Sequence, residues 1–187
     1  ILDLCAGAGG KALALAAAAP EAGIIASDTN RARLAQLPPR AERAGANIAI
    51  RLLDGGREAS QLVDLEGQCD VVLVGAPCSG SGTWRRNPEG RWRLTPERLE
   101  RLVRLQARLL DIAAPLVKPG GALVYATCSI IRAEGADQAR NFLGRHSSWI
   151  GQDVGFDGGR DDGPGRLLTP AHDATDGFFV ARMGRTC

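Results

Sequence analysis

Short apolar runs alternate along the chain with segments of helical periodicity. The apolar runs predict strands at Ile1–Leu4, Gly23–Ser27, Asn47–Leu53, Val71–Val74 and Ala122–Thr127. Helical spacing predicts helices over Ala12–Ala19, Asn30–Ala44, Pro96–Ala113 and Glu134–Arg145. Strands and helices that alternate through short loops indicate an α/β fold with a doubly wound, mostly parallel sheet.

Three segments give more specific expectations. Pro38-Pro39 is expected to kink or interrupt its helix, because proline lacks the backbone donor. The glycine- and aspartate-rich stretch 153–166 is predicted to be a surface loop. Phe178–Arg182 is predicted to be a last, antiparallel strand that pairs with an irregular sixth.

Composition indicates one globular domain over residues 1–187. The chain is 44% hydrophobic and 24% charged, and no apolar run is long enough to cross a bilayer. No signal peptide is recognisable, so we expect a cytoplasmic protein with no membrane partner. Because Ile1 already lies in an apolar strand that leads to a glycine loop, we also expect an N-terminal region to be missing.

Arginine dominates the basic residues, since only Lys11 and Lys118 are lysines among 23. Eight arginines lie between Arg85 and Arg108, and Trp84 and Trp92 are interleaved with the first of them. Such a pattern suits single-stranded RNA, because bases stack on aromatic rings and guanidinium planes. A solvated helix face explains the arginines equally well, and either tryptophan could instead be a lid on the core.

A glycine-rich turn follows the first strand. Gly7-x-Gly9-x-x-Ala12 has the form of a dinucleotide fingerprint, and Asp28 closes the next strand at a suitable distance. Asp54 closes the third strand and would lie near an adenine amine, although it can also be a simple turn former. The turn lacks the spacing and the hydroxyl of a phosphate-binding loop, which excludes a standard ATPase or GTPase.

The five cysteines show no paired spacing, which argues against a disulfide framework and against a metal site. Cys69 is expected to pack as a small apolar residue. Cys78 and Cys128 each follow a predicted strand in a short loop. If those strands are neighbours, the two thiols meet over one crevice.

These residues resemble the Nop/Sun-type RNA (cytosine-5)-methyltransferases, which use S-adenosylmethionine. The motifs that carry the resemblance span nearly the whole chain: DLCAGAGGK, Asp28, Asp54, APCSGSG, ATCS and the terminal DGFF. Within the family the chain looks most like the bacterial enzymes that modify small-subunit ribosomal RNA. The resemblance implies a Rossmann-like fold, an RNA partner and a covalent mechanism.

The resemblance also implies a role for each site residue. Cys128 would attack carbon 6 of cytosine, and Cys78 would assist proton removal and enzyme release. Asp28 would hold the ribose and Asp54 would lie beside the adenine. The cofactor-binding set would be Cys5, Ala6, Gly7, Ala8, Gly9, Gly10, Lys11, Asp28, Asp54 and Gly75. Cys128 must attack as a thiolate, so we expect an electropositive pocket to which Lys11 contributes.

Gly75 departs from the family pattern, which has aspartate before Ala-Pro-Cys. That aspartate is expected between cofactor and cytosine, and its loss leaves two alternatives to an active methyltransferase. The first is a weakened or inactive relative that binds RNA. The second is a nicotinamide-dependent oxidoreductase, which Gly7, Gly9 and Asp28 allow but which leaves Asp54 and both thiol loops without a role.

Overall fold

A computed structural model describes residues 1–187. Its strands are β1 (Leu2–Asp3), β2 (Ile24–Asp28), β3 (Ile48–Leu52), β4 (Cys69–Gly75), β5 (Val117–Thr127), β6 (Trp149–Gln152), β7 (Arg160–Asp162), β8 (Gly165–Leu168) and β9 (Phe178–Arg185). Its α-helices are α1 (Gly10–Ala18), α2 (Arg31–Leu34), α3 (Leu37–Ala44), α4 (Glu58–Gln61), α5 (Pro96–Ala113), α6 (Ala136–Arg145) and α7 (Pro170–Asp173). None of these helices is long and apolar enough to span a membrane.

The strands form one mixed sheet in the order β3-β2-β1-β4-β5-β9-β8-β7, and β6 also pairs with β9. The first five strands of that order run parallel, whereas β9 runs antiparallel to β5. The predicted fold class is therefore confirmed, including the antiparallel last strand. The winding direction reverses between β1 and β4, which opens a crevice at the carboxyl ends of those strands.

The glycine turn before α1 depends on Gly9. Its φ is +81°, and a Cβ at this position would lie 2.2 Å from Cδ1 of the buried Leu37. Both observations require glycine, because other residues rarely adopt this conformation and none has room. Leu37 also packs with Ala12, so one small cluster fixes the turn against the helices beside it.

The main core lies around β4, β5 and α5. Val72, Val74 and Leu123 are fully buried in the sheet, and Leu110 packs on them from α5. The Thr95 hydroxyl caps α5 by accepting a hydrogen bond from the Arg98 backbone N–H at 3.3 Å. Strands buried on both faces are typical of a parallel sheet, and here they hold the crevice rigidly.

Pro38-Pro39 interrupt the predicted helix, as expected, because α2 ends at Leu34 and a separate helix, α3, begins at Leu37. Both prolines lie in the first turn of α3, where a missing N–H costs little. The loop predicted over 153–166 is wrong in its second half, because β7 and β8 form a hairpin there. The antiparallel pairing predicted for the last strand is confirmed, since β9 pairs antiparallel with the sixth strand, β6, and also with β5 and β8.

Candidate active site

The two thiol loops leave neighbouring strands at the carboxyl edge of the sheet. β4 and β5 pair in register, with Gly75 opposite Ala126. The Sγ atoms of Cys78 and Cys128 lie 3.4 Å apart, as expected from the strand ends. The Gly82 N–H donates to the Cys128 carbonyl at 3.1 Å, so the loops are also joined through their backbones.

The thiols have opposite acidities. The hydrogen bond from Cys78 stabilises the anion of Cys128 and lowers the pKa of that thiol to about 6. The same bond, together with burial, raises the pKa of Cys78 far above its ordinary value. At neutral pH the pair is therefore one thiolate, Cys128, and one proton donor, Cys78. Lys11 also lowers the pKa of Cys128, as expected, although its effect is smaller than that of the hydrogen bond with Cys78.

A buried carboxylate ties the two thiol loops together. Glu134 is fully buried, and its Oε1 accepts from the Ser79 backbone N–H at 2.8 Å and from Gln106 Nε2 at 3.0 Å. Its Oε2 accepts from the hydroxyls of Ser79 and Ser129, the latter at 2.7 Å. Ser79 and Ser129 directly follow Cys78 and Cys128, so one carboxylate fixes both sulfurs.

Further hydrogen bonds complete this cluster. Gln106 Nε2 also donates to the Pro77 carbonyl at 2.9 Å, which joins α5 to the residue before Cys78. The Tyr125 hydroxyl donates to the Glu134 carbonyl at 2.7 Å. The carboxylate itself receives four hydrogen bonds, two on each oxygen, and these replace the water that it loses on burial. Sequence reasoning missed Glu134; the available signal was the repeated Cys-Ser pair at the two strand ends.

Asp28 and Asp54 lie at the carboxyl ends of adjacent strands. Asp28 accepts from the backbone N–H groups of Gly7 and Asn30, each at 2.7 Å, which fixes the glycine turn against β2. Asp54 is exposed, and Gln61 Nε2 donates to its carboxylate at 3.0 Å. Both carboxylates keep unused lone pairs, so the arrangement fits the hydroxyls and the amine of an adenosine group.

Lys11 lies over Gly75. A Cβ at position 75 would be 2.7 Å from Lys11 Nζ and 3.0 Å from Cε, so the lysine tip occupies the space that a larger residue would take. Cys5 is on the other side of the turn, where burial raises the pKa of its thiol to about 12. The Cys5 thiol is thus protonated and unsuited to nucleophilic attack.

The two tryptophans have different environments. Trp84 is partly buried, and a Cβ on Gly90 would lie 3.0 Å from its ring, so it packs beneath the following turn. Trp92 is 77% exposed, and the Arg91 guanidinium carbon lies 4.5 Å from its ring centroid. Trp84 therefore supports the local fold, whereas Trp92 is not a lid on the core.

The sequence matches the model of the family described as 16S rRNA methyltransferase RsmB/F over residues 1–184. This chain belongs to the RsmB/F family. The ribosomal RNA small subunit methyltransferase B of Salmonella arizonae is 39% identical over 183 residues, which are 98% of this chain and 41% of the relative. The chain thus spans about two-fifths of the length of the curated relatives it matches.

Solved structures agree with the RsmB/F assignment. The crystal structure of PH0851 is 36% identical, with a TM-score of 0.87 over 97% of this chain and 41% of that one. NSun6 from Pyrococcus horikoshii, solved with SFG, has a TM-score of 0.83 at 24% identity over 100% of this chain and 47% of that one, and shows the shared fold. The resemblance drawn from the motifs is confirmed at the level of the family.

The acidity of Cys128 gives a first prediction. The rate at which iodoacetamide alkylates Cys128, followed by mass spectrometry of its peptide, should rise with pH around a midpoint of about 6, because the thiolate predominates above its pKa. Cys78→Ala removes the donor and should move the midpoint upward. Cys69→Ala, at the buried cysteine that begins β4 at the end of the strand away from the site, is the control. A midpoint at about pH 8.5 in the unaltered chain, the ordinary thiol value, would contradict the assignment.

The Glu134 cluster gives a second prediction. Glu134→Ala should lower the free energy of unfolding by about 3 kcal/mol in urea titrations, because it leaves several buried donors without an acceptor. Glu66→Ala, at an exposed glutamate, should change it by no more than about 0.5 kcal/mol. Equal stability of the two variants would show that the carboxylate does not hold the loops.

Proposed function

We propose that this chain binds S-adenosylmethionine and methylates carbon 5 of a cytosine in RNA, with ribosomal RNA as the substrate class. Residues 1–187 are assigned to the catalytic domain. The observation that supports this most directly is the pair of thiols 3.4 Å apart, one of which is acidic and the other not. Attack on carbon 6 and proton removal at carbon 5 require two groups of that kind.

Cofactor binding is assigned to the glycine turn and to the two strand-end carboxylates. The turn from Cys5 to Lys11 would enclose the methionine end, Asp28 would bind the ribose hydroxyls, and Asp54 would lie beside the adenine. When bound, the cofactor supplies a methyl group on a sulfonium, which makes that methyl electrophilic. The positive charge of Lys11 lies beside Gly75, at the carboxyl end of β4, and lowers the pKa of Cys128.

Cys128 acts as the nucleophile. Its thiolate forms a bond to carbon 6 of the cytosine, and the electron pair of the 5,6 double bond moves to carbon 5, which then takes the methyl group. As negative charge develops on the pyrimidine, Cys78 gives its proton to ring nitrogen N3 and becomes a thiolate. The Cys78 thiolate then accepts the proton from carbon 5. Elimination of the Cys128 thiolate restores the double bond, and the proton on N3 is released to solvent. The base must leave its stack to reach this crevice.

The division of labour between the thiols gives a third prediction. Cys128→Ala should abolish transfer of tritiated methyl groups to unmodified ribosomal RNA, because no adduct can form. Cys78→Ala should instead accumulate a covalent protein–RNA complex, which migrates slowly on a denaturing gel. Cys69→Ala should behave like the unaltered chain. If the Cys78 variant formed no slowly migrating complex, the roles assigned to the two thiols would be wrong.

A weakened or inactive RNA-binding relative is the second candidate, and Gly75 favours it. An aspartate there would stabilise charge on the pyrimidine, and loss of one such group costs on the order of 3 kcal/mol in the transition state. The retained thiol pair and its buried support favour an active enzyme, since a binding protein needs neither. Methyl transfer by the unaltered chain separates the two candidates.

Gly75 gives a fourth prediction. Gly75→Asp should raise the rate of methyl transfer by up to about a hundredfold, because the new carboxylate would stabilise charge on the pyrimidine. The side chain can be accommodated, because the flexible Lys11 tip that occupies this space can move aside and pair with it. Two variants serve as controls. Gly75→Asn has the size of the aspartate without its charge, and Gly75→Ala only fills the space next to Lys11. An unchanged rate for the aspartate variant, or the same rise for all three, would refute a role for charge at this position.

A further inference from the structure

The segment that follows the Cys78 loop presents an uncovered aromatic ring beside unpaired charge. We define the arginine–tryptophan patch as Arg85, Arg91, Trp92 and Arg93. Trp92 is 77% exposed, the largest exposed fraction among the large apolar side chains outside the core. The Arg91 guanidinium lies 4.5 Å from the ring centroid, which leaves indole surface free for a further stacking partner.

The charge of the patch is positive and largely available. Arg91 and Arg93 make no salt bridge with any carboxylate of the chain. Arg85 forms a salt bridge with Asp176 at 3.6 Å, but its side chain is 66% exposed. The unpaired guanidinium groups of Arg91 and Arg93, with the exposed Arg85, are complementary to a phosphate chain with unstacked bases.

Contacts within the segment connect the patch to the thiols. The Gly82 N–H bonds the carbonyl of Cys128, and Trp84, two residues later, packs under Gly90. Arg86 pairs with Asp176, and the next residue, Gly177, donates its N–H to the Gly82 carbonyl at 2.8 Å. Tight turns through Thr83 and Asn87 hold this segment in shape. These contacts join the segment up to Gly90 to the Cys128 loop, and Arg91, Trp92 and Arg93 follow directly in the same 3-10 helix, Pro88–Arg93.

We infer that the arginine–tryptophan patch binds a single-stranded RNA nucleotide that flanks the target cytosine, with its base stacked on Trp92 and its phosphates held by Arg85 and Arg93. This inference rests on the proposed function, since it extends the RNA-binding surface of that site. A stacked flanking base would keep the strand unpaired beside the crevice, which favours the extrusion of the cytosine.

Tryptophan fluorescence of the full chain tests the inference without requiring catalysis. Titration with a cytosine-containing single-stranded oligoribonucleotide should quench emission, and Trp92→Phe should lose the quench while it retains a stacking ring. Trp92→Ala should weaken binding roughly tenfold. Val63→Ala, at a residue 59% exposed on another element, is the matched control and should bind normally. Inorganic polyphosphate, which has charge but no bases, should leave Trp92 emission unquenched.

Charge and catalysis give two further readouts. Arg93→Ala should reduce the slope of log affinity against log salt by about 0.7, the value for one phosphate contact on a single strand. In an active chain, the larger effect of Trp92→Ala should fall on KM rather than on kcat. Quenching without any methyl transfer would reject the proposed function and support RNA binding by the patch. Methyl transfer with RNA affinity and KM unaffected by Trp92→Ala would support the proposed function and reject RNA binding by the patch. That second result would indicate a protein partner for this surface.

Discussion

The buried carboxylate of Glu134 is the constraint on which the site depends. It receives hydrogen bonds from the loops behind both cysteines and from a glutamine on α5, and no cation lies in contact with it. A charge in the interior is costly unless neighbouring dipoles replace its hydration, so the serines and the glutamine must stay where they are. The distance between the two sulfurs follows from this requirement.

Proximity of the sulfurs then determines their chemistry. Two thiols that share one hydrogen bond cannot both ionise easily, so one proton stays on the pair. A backbone hydrogen bond and Lys11 both lower the pKa of Cys128, which favours the charge on that sulfur. The parallel pairing of β4 with β5 brings the loops to the same edge, and the reversal of strand order between β1 and β4 places the glycine turn beside them. The sheet topology thus brings the two loops together, the buried Glu134 cluster holds them in place, and the resulting proximity of the sulfurs determines their acidity.

Much of this arrangement could be predicted from local sequence patterns. Apolar runs that end in Cys78 and Cys128 indicated neighbouring strand ends, because parallel strands place their carboxyl ends at one edge. Glu134 was harder to recognise, since Ser79 and Gln106 are distant from it in sequence and a glutamate near a helix start is ordinarily solvated. The β7–β8 hairpin was missed because its backbone pairing with β9 supplies the stability that its composition does not. Trp84 and Trp92 looked equivalent in the sequence, whereas in the structure Trp84 packs under Gly90 and Trp92 is exposed.

The most direct measurement of the central claim is to identify the residue that bonds to the base. RNA that carries 5-fluorocytidine at the target position cannot lose a proton from carbon 5, so the covalent complex persists and can be digested for mass spectrometry. The paired-thiol assignment predicts the nucleotide mass on the peptide that contains Cys128. Mass on the Cys78 peptide, or no adduct under conditions in which unfluorinated RNA is methylated, would contradict it.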